Sequence, residues 1–200
     1  MNKKITYIRD VLEYMSVKEH HIGKVILDID DTLVDFSGKM YRNLKKYYPD
    51  IKFPYPSDWR WGTIKKIIGH KKFDEMIDIT VEECNQSKPF PEVPEYTNIL
   101  YELGYEIVIL THRSLSAYEG TKRFLLNNSI KYHELIVTHV PKIQFIDDNT
   151  VFIVDDAPHT LKDVKKYRPH VKLFARKMRY NKDIKGVIRI NNLFDTLKHI

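Results

Sequence analysis

A single cysteine, Cys84, stands in the 200 residues of this chain, which excludes an intramolecular disulfide and fits a reducing compartment. Its spacing from Ile77 and Val81 is that of one helix face, so it reads as core. No apolar run approaches the roughly 18 residues that a membrane span needs. Met1 to Lys4 lead into a segment of interrupted hydrophobicity instead of a signal-peptide core. These absences predict a cytoplasmic protein with no membrane partner. Internal repeats, low-complexity tracts and blocks of like charge are missing too, so disorder is not expected and the organisation has to be read from periodicity. None of the nine histidines is paired at metal-binding spacing beside an acidic partner, and His20 and His21 read as surface residues.

What is present is ordinary for a globular chain: 42% hydrophobic and 30% charged residues, enough for one domain carrying a modest insertion. The formal charge of +6 would draw anionic ligands such as phosphates or nucleic acid. A lysine-rich solvated surface gives the same sum.

Along the chain, Ile5, Ile8, Leu12 and Met15 recur at helical spacing and predict an amphipathic helix over residues 5–17, within an N-terminal segment 1–23. Lys24-Val-Ile-Leu-Asp-Ile29 is a short β-branched run typical of a buried strand. Residues 34–90 differ in character. Phe36, Met40 and Leu44 suggest one helix, Phe73 to Cys84 another, and the aromatic stretch Tyr47–Trp61 between them is broken by proline. Pro89, Pro91 and Pro94 close the region. We read it as a helical insertion into a domain made of residues 24–33 and 91–200. From there the alternation is regular: helix 94–103, strand 105–110, helix 116–127, strands 134–138 and 151–154, helix 158–167, strands 171–175 and 186–190, and a last helix from Asn192. Such alternation predicts an α/β fold, a Rossmann-like parallel sheet with helices on both faces, whose ligands gather at the carboxyl ends of the strands.

Those ends carry the informative residues. Asp28, Asp30 and Thr32 follow the first strand, Thr111 the second, and Asp155-Asp156 the fourth. One aspartate at a strand end is commonly a turn or helix-capping residue. Two pairs delivered to one rim, with a threonine and a following lysine, make an oxygen-ligand site for a hard cation, and Mg²⁺ fits best where phosphate completes its shell. A second acidic pair, Asp147-Asp148, runs into Asn149-Thr150 and reads as a turn.

Val25-Ile-Leu-Asp-Ile-Asp-Asp-Thr-Leu33 resembles the first motif of the haloacid dehalogenase (HAD) superfamily. Leu110-Thr111 is similar to its second motif, Lys142 to its third, in preference to Lys131, and Ile153-Val-Asp-Asp156 to its fourth. The resemblance covers roughly residues 24–175. It implies a Mg²⁺-dependent phosphohydrolase: Asp28 as the nucleophile that forms an aspartyl-phosphate, Asp30 as acid and base, Thr111 on a phosphate oxygen, and Lys142 as a balancing charge. Asp28, the Asp30 carbonyl, Asp155 and Asp156 would hold the metal. Asp31 stands where a glycine is often found.

The insertion occupies the place of the small helical cap that selects substrate in this superfamily. Its aromatic load includes Phe36, Trp59 and Trp61, and such rings either stack on a base or form the cap's own core. With Thr32 and His112 they are the candidate substrate contacts. Asp30 to Phe36, Trp59, the prolines 89–94 and Arg179-Tyr-Asn181 look like the 5'(3')-deoxyribonucleotidase family, which implies a nucleoside monophosphate as substrate. Three alternatives stay open: another small phosphate ester such as a sugar phosphate, a polynucleotide 3'-phosphate suggested by Lys45-Lys46, Lys65-Lys66 and Lys71-Lys72, and a non-catalytic ligand-binding protein on the same fold.

Overall fold

The computed structural model describes residues 21–200; the helix expected over residues 5–17 and His20 lie outside the described residues. Six strands, β1 (Gly23–Leu27), β2 (Tyr105–Thr111), β3 (Glu134–Val137), β4 (Thr150–Val154), β5 (Lys172–Arg176) and β6 (Ile188–Ile190), form one sheet in the order β3-β2-β1-β4-β5-β6. Every pairing is parallel. The helices are α1 (Phe36–Tyr47), α2 (Gly62–Ile68), α3 (His70–Asn85), α4 (Val93–Glu102), α5 (Tyr118–Asn127) and α6 (Pro158–Tyr167).

Successive strand residues point to opposite faces, and here both faces are covered. Val25 and Leu27, Ile107 and Ile109, and Phe152 and Val154 pack with Tyr96 and Leu100 of α4 and Phe124 of α5. Ile26, Val108, Leu110 and Ile153 pack on the other side with Leu161 and Val164 of α6. Two-sided burial is why β1 reads as an unbroken apolar run. The chain builds outward from β1 through β2 to β3, then crosses back to β4 and continues to β6, so the topology switches between β1 and β4. A crevice opens beyond the carboxyl ends at such a point.

Residues after β1 make a tight helical turn in which the Ile29 carbonyl accepts from the N–H groups of Thr32, Leu33 and Val34. The strand therefore ends at Leu27, two residues short of the expected end. The chain then enters α1, where the Asp35 side chain accepts from Gly38 N at 3.0 Å. A Cβ on Gly38 would fall 2.3 Å from that carboxylate, so a larger residue there would push the Asp35 side chain aside and loosen this cap. Helices α1 to α3 enclose their own core of Met40, Leu44, Phe53, Trp61, Ile64, Phe73 and Met76. The return is pinned to the exit by Phe90 N donating to Leu33 O at 2.9 Å.

Three elements differ from expectation, the first of them not expected at all. Helix α2 escapes periodicity because seven residues give barely two turns. The segment 115–117 is a 3-10 turn leading into α5. The last helix is a 3-10 segment, Leu193–Lys198: the Asp195 carboxylate accepts from Asn191 N, and Thr196 bonds back to the Leu193 carbonyl, which tightens the chain into three-residue turns. No helix among the described residues is long and apolar enough to cross a membrane.

Candidate active site

The crevice is a cavity of about 500 Å³ between the carboxyl ends of β1, β2 and β4 and the helices of the insertion. Asp28 stands at its floor, one residue past β1, with its N–H bonded to Val154 O at 2.9 Å. The parallel ladder between β1 and β4 thus continues into the site and sets the depth of this carboxylate. Lys142 rises from a 3-10 turn, Lys142–Phe145. Its Nζ lies 2.6 Å from Asp28 Oδ1 and 2.6 Å from Asp155 Oδ2, all three side chains being under 8% exposed. Burial alone would lower the lysine's affinity for its proton, but the two carboxylates outweigh it and hold the ammonium above its ordinary range. Burial pushes the Asp28 carboxyl up to about 7 against the opposing pull of Lys142, with the charges of Asp155 and Asp30 adding to the rise.

The other acidic residues divide into two networks. The Asp155 oxygens are both engaged, Oδ2 by Lys142 and Oδ1 by Ala157 N at 2.8 Å. Asp156 lines the cavity, and its Oδ2 accepts from the Tyr180 hydroxyl. Tyr180 also lies 3.1 Å from Asp31 Oδ2. Asp31 adopts a left-handed backbone (φ 58°), a region that aspartate tolerates better than most residues. There its carboxylate takes Ser37 N at 2.8 Å and the Ser37 hydroxyl, which ties the turn to α1. Burial raises Asp31 to about 6, and Asp156 rises well above the usual carboxylate range through burial and the charges of Asp28, Asp31 and Asp155.

Asp30 faces the cavity and is clamped by Arg113, whose Nε donates to Oδ2 at 2.9 Å and Nη2 to Oδ1 at 2.6 Å. Arg113 comes from the loop two residues after Thr111, and its importance went unread in the sequence. The available signal was its place in Thr111-His-Arg113, directly past a strand end. The Thr111 hydroxyl lines the cavity and accepts weakly from Arg113 N at 3.4 Å, leaving its own proton to donate.

The candidate substrate contacts separate. Phe36, Trp59 and His112 line the cavity. Trp59 rests against His159 of α6 at 4.5 Å between ring centroids, and His159 stacks on His112 at 6.0 Å with planes 12° apart. Burial lowers the proton affinity of both histidines, which favours the uncharged ring. His159 was another residue the sequence did not single out. Trp61 touches the cavity but is 5% exposed and packed near Phe73 in the insertion's own core, so it offers an edge and no open platform. Thr32 is fully buried outside the cavity lining, its hydroxyl without a hydrogen-bond partner. Asp147 is engaged with Lys24 at 2.6 Å, as a turn residue on the far side of β4. Lys131 is exposed, over the Tyr101 ring.

Among the described residues no group of three or more His, Cys, Asp or Glu side chains is arranged as a metal centre. The donor set nevertheless suits Mg²⁺, which usually binds through one or two carboxylates, completing its shell with waters and phosphate. Asp28 and Asp156 are oxygen donors beside one cavity, in a cluster where Asp28, Asp30, Asp31, Asp155 and Asp156 gather around the buried cations Lys142 and Arg113. Asp155 is a poorer candidate than its neighbour, because its two oxygens already serve Lys142 and the start of α6.

No family model matches the sequence, and no curated protein matches it. Solved structures do. A predicted phosphoglycolate phosphatase from Haemophilus somnus superposes with a TM-score of 0.62 at 14% identity, over 92% of this chain and 99% of that one. A candidate HAD-hydrolase from Bacillus subtilis, bound to magnesium, gives 0.60 at 12% identity over 89% and 98%. A predicted phosphatase from Clostridium acetobutylicum gives 0.59 at 12% identity over 89% and 97%. At such identities the shared property is the fold alone. The chain has the α/β, Rossmann-like fold of the HAD hydrolases.

Proposed function

We propose that this protein is a phosphomonoesterase that works through an aspartyl-phosphate, with nucleoside monophosphates as its substrates. The observation that carries the reading is Lys142 Nζ at 2.6 Å from both Asp28 and Asp155, at the floor of a cavity large enough for a nucleotide. With Oδ1 held by the ammonium, the second oxygen of Asp28 is left to attack phosphorus. The Asp28–phosphorus bond forms as the ester's P–O bond breaks, and Asp30 supplies a proton to the departing oxygen. Water then attacks the acyl phosphate, Asp30 takes its proton, and inorganic phosphate leaves.

A carboxylate approaching a phosphate dianion meets about 4 kcal/mol of repulsion per charge pair at 4 Å and an effective dielectric near 20. Lys142 offsets part of this, and the Thr111 hydroxyl can hold a phosphate oxygen. Mg²⁺, held by Asp28, Asp156 and the Asp30 carbonyl, would supply the remaining positive charge. Trp59 and His112, both packed against His159, give the cavity an aromatic wall suited to a base.

The predicted phosphoglycolate phosphatase among the fold relatives favours a second reading, a small phosphorylated acid or sugar. The lysines of the insertion suit the nucleic-acid reading less well, since Lys45 and Lys72 lie over Tyr41 and Tyr48 on its solvated surface, and Lys65, over Phe73, is half-buried at the cavity. The test is a panel of nucleoside monophosphates, sugar phosphates, phosphoglycolate and a 3'-phosphorylated oligonucleotide, each with Mg²⁺. The expected result is highest kcat/KM on a nucleoside monophosphate and no turnover by Asp28→Asn, whose amide is nearly isosteric but cannot attack. Turnover by that folded variant would remove the nucleophile assignment, and a preference for phosphoglycolate would replace the substrate.

A further inference from the structure

We infer that Arg113 is the positioning residue for Asp30, and that it couples the aim of this carboxylate to the inserted helices through Asn85. The inference rests on the phosphomonoesterase reading and adds residues to it. Asp30 must meet two different oxygens in turn, the departing ester oxygen and the attacking water. A carboxylate free to rotate on a turn would meet either only part of the time, and a misplacement of about 1 Å can cost 100-fold.

The geometry answers that need. The guanidinium makes a two-point fork, Nε to Oδ2 at 2.9 Å and Nη2 to Oδ1 at 2.6 Å, which fixes the carboxylate plane as a single bond would not. The side chains are 1% and 25% exposed respectively, so of the two residues that line the cavity the aspartate is the more open to it. Arg113 also borders the cavity, but four of its five N–H donors are directed to protein atoms: besides the fork to Asp30, its Nη1 donates to Asn85 Oδ1 at 2.6 Å and to Thr121 Oγ1 at 3.1 Å. The three partners come from three places: the turn after β1, the core helix α5, and Asn85 at the last turn of α3, the last helix of the insertion. Movement of α3 therefore reaches Arg113 directly, and through it Asp30. A lysine at 113 would keep the charge but could not make the fork.

The experiment measures an alkyl and an aryl phosphate, with Mg²⁺, in the wild type, Arg113→Lys, Asn85→Ala, Asp30→Asn and the double variant Asp30→Asn/Arg113→Lys. Aryl oxide leaves with little protonation, so only the alkyl ester depends strongly on a well-aimed Asp30. Arg113→Lys is expected to lower the alkyl-to-aryl ratio of kcat about 10-fold with KM little changed, a part of the 100-fold or more that a positioned acid contributes. Asn85→Ala should shift the ratio in the same direction by less. In the Asp30→Asn background Arg113→Lys should change nothing further, because the group it aims is gone. Equal loss on both esters, or a full additional loss in that background, would show Arg113 to be a packing residue and would leave the phosphatase reading intact. A wild type that hydrolyses neither ester would remove that reading and this inference with it.

Discussion

Asp155 and Asp156 are adjacent in the chain, yet one turns both oxygens to the protein and the other lines the cavity beside Tyr180. Residues on consecutive positions past a strand end point to opposite sides, so a pair of identical aspartates acquires two jobs. This leads to a prediction about metal binding. Ligand binding to the native state stabilises by about 2.7 kcal/mol at 100 times Kd, so Mg²⁺ should raise the melting temperature of the wild type. Asp156→Asn should largely abolish that rise. Asp155→Asn should lower the melting temperature without Mg²⁺, by loosening Lys142 and the start of α6, while keeping most of the rise. Thermal unfolding with and without Mg²⁺ checks this, and the reverse pattern would exchange the two roles.

At the scale of elements, the seam between insertion and core is held by Arg176 at the end of β5. Its Nε donates to Thr32 O at 2.9 Å, its Nη1 to Asn191 O at 3.1 Å and its Nη2 to the Glu92 carboxylate, while its guanidinium lies 3.9 Å from the Phe90 ring centre. One side chain thus joins the turn after β1, the returning linker and the loop after β6. Burial would raise Glu92, but the Arg176 hydrogen bond, backbone donors and the arginine's charge outweigh it and hold the carboxyl below its usual range. A carboxylate depressed in the folded state adds stability above its unfolded pKa, and that stability is lost as pH falls through the folded value. Glu92→Gln should therefore be less stable than the wild type at pH 7, and the gap should narrow as pH falls from about 5 towards 3. Urea unfolding midpoints at several pH values test this; a gap independent of pH would mean that the pair contributes packing alone. The elements themselves were legible because their patterns are local. Long apolar runs such as Tyr105–Thr111 and proline-marked helix starts such as Pro158 carry their own signal. The seven residues of α2 and the 3-10 ending at Leu193–Lys198 do not, since a short helix has too few turns for periodicity and 3-10 geometry is set by side chains such as Asp195.

For the molecule as a whole, the cavity exists only because two bodies of chain meet above one sheet edge. The core supplies the charged floor, and the insertion supplies Phe36 and Trp59. Trp59 meets His159 across that meeting line, so its replacement tests the proposed substrate. Trp59→Leu keeps apolar bulk and removes the flat face. If the ring stacks on a base, kcat/KM for a nucleoside monophosphate should fall by about 5-fold to 150-fold, the equivalent of 1 to 3 kcal/mol. Hydrolysis of para-nitrophenyl phosphate, which has no base, should change far less. A common fall on both substrates, or a lowered melting temperature as the main effect, would make Trp59 a packing residue and take away the best support for a nucleotide.

The sequence by itself pointed to the parallel α/β architecture and to Asp28, Asp30, Thr111 and Asp156 at the strand ends that border one cavity. Each of these depends on strand runs and on what stands at their ends, which neighbours along the chain specify. Only the tertiary structure decided that Asp155 belongs to Lys142, that Trp61 is packed inside the insertion while Trp59 faces His159, and that Arg113 joins Asp30 to Asn85. Those pairings join residues far apart in the chain, from Asp30 to Arg113 and from Asp31 to Tyr180. Their partners are chosen by burial, because a charge or hydroxyl removed from water must find a complement wherever the fold has placed one.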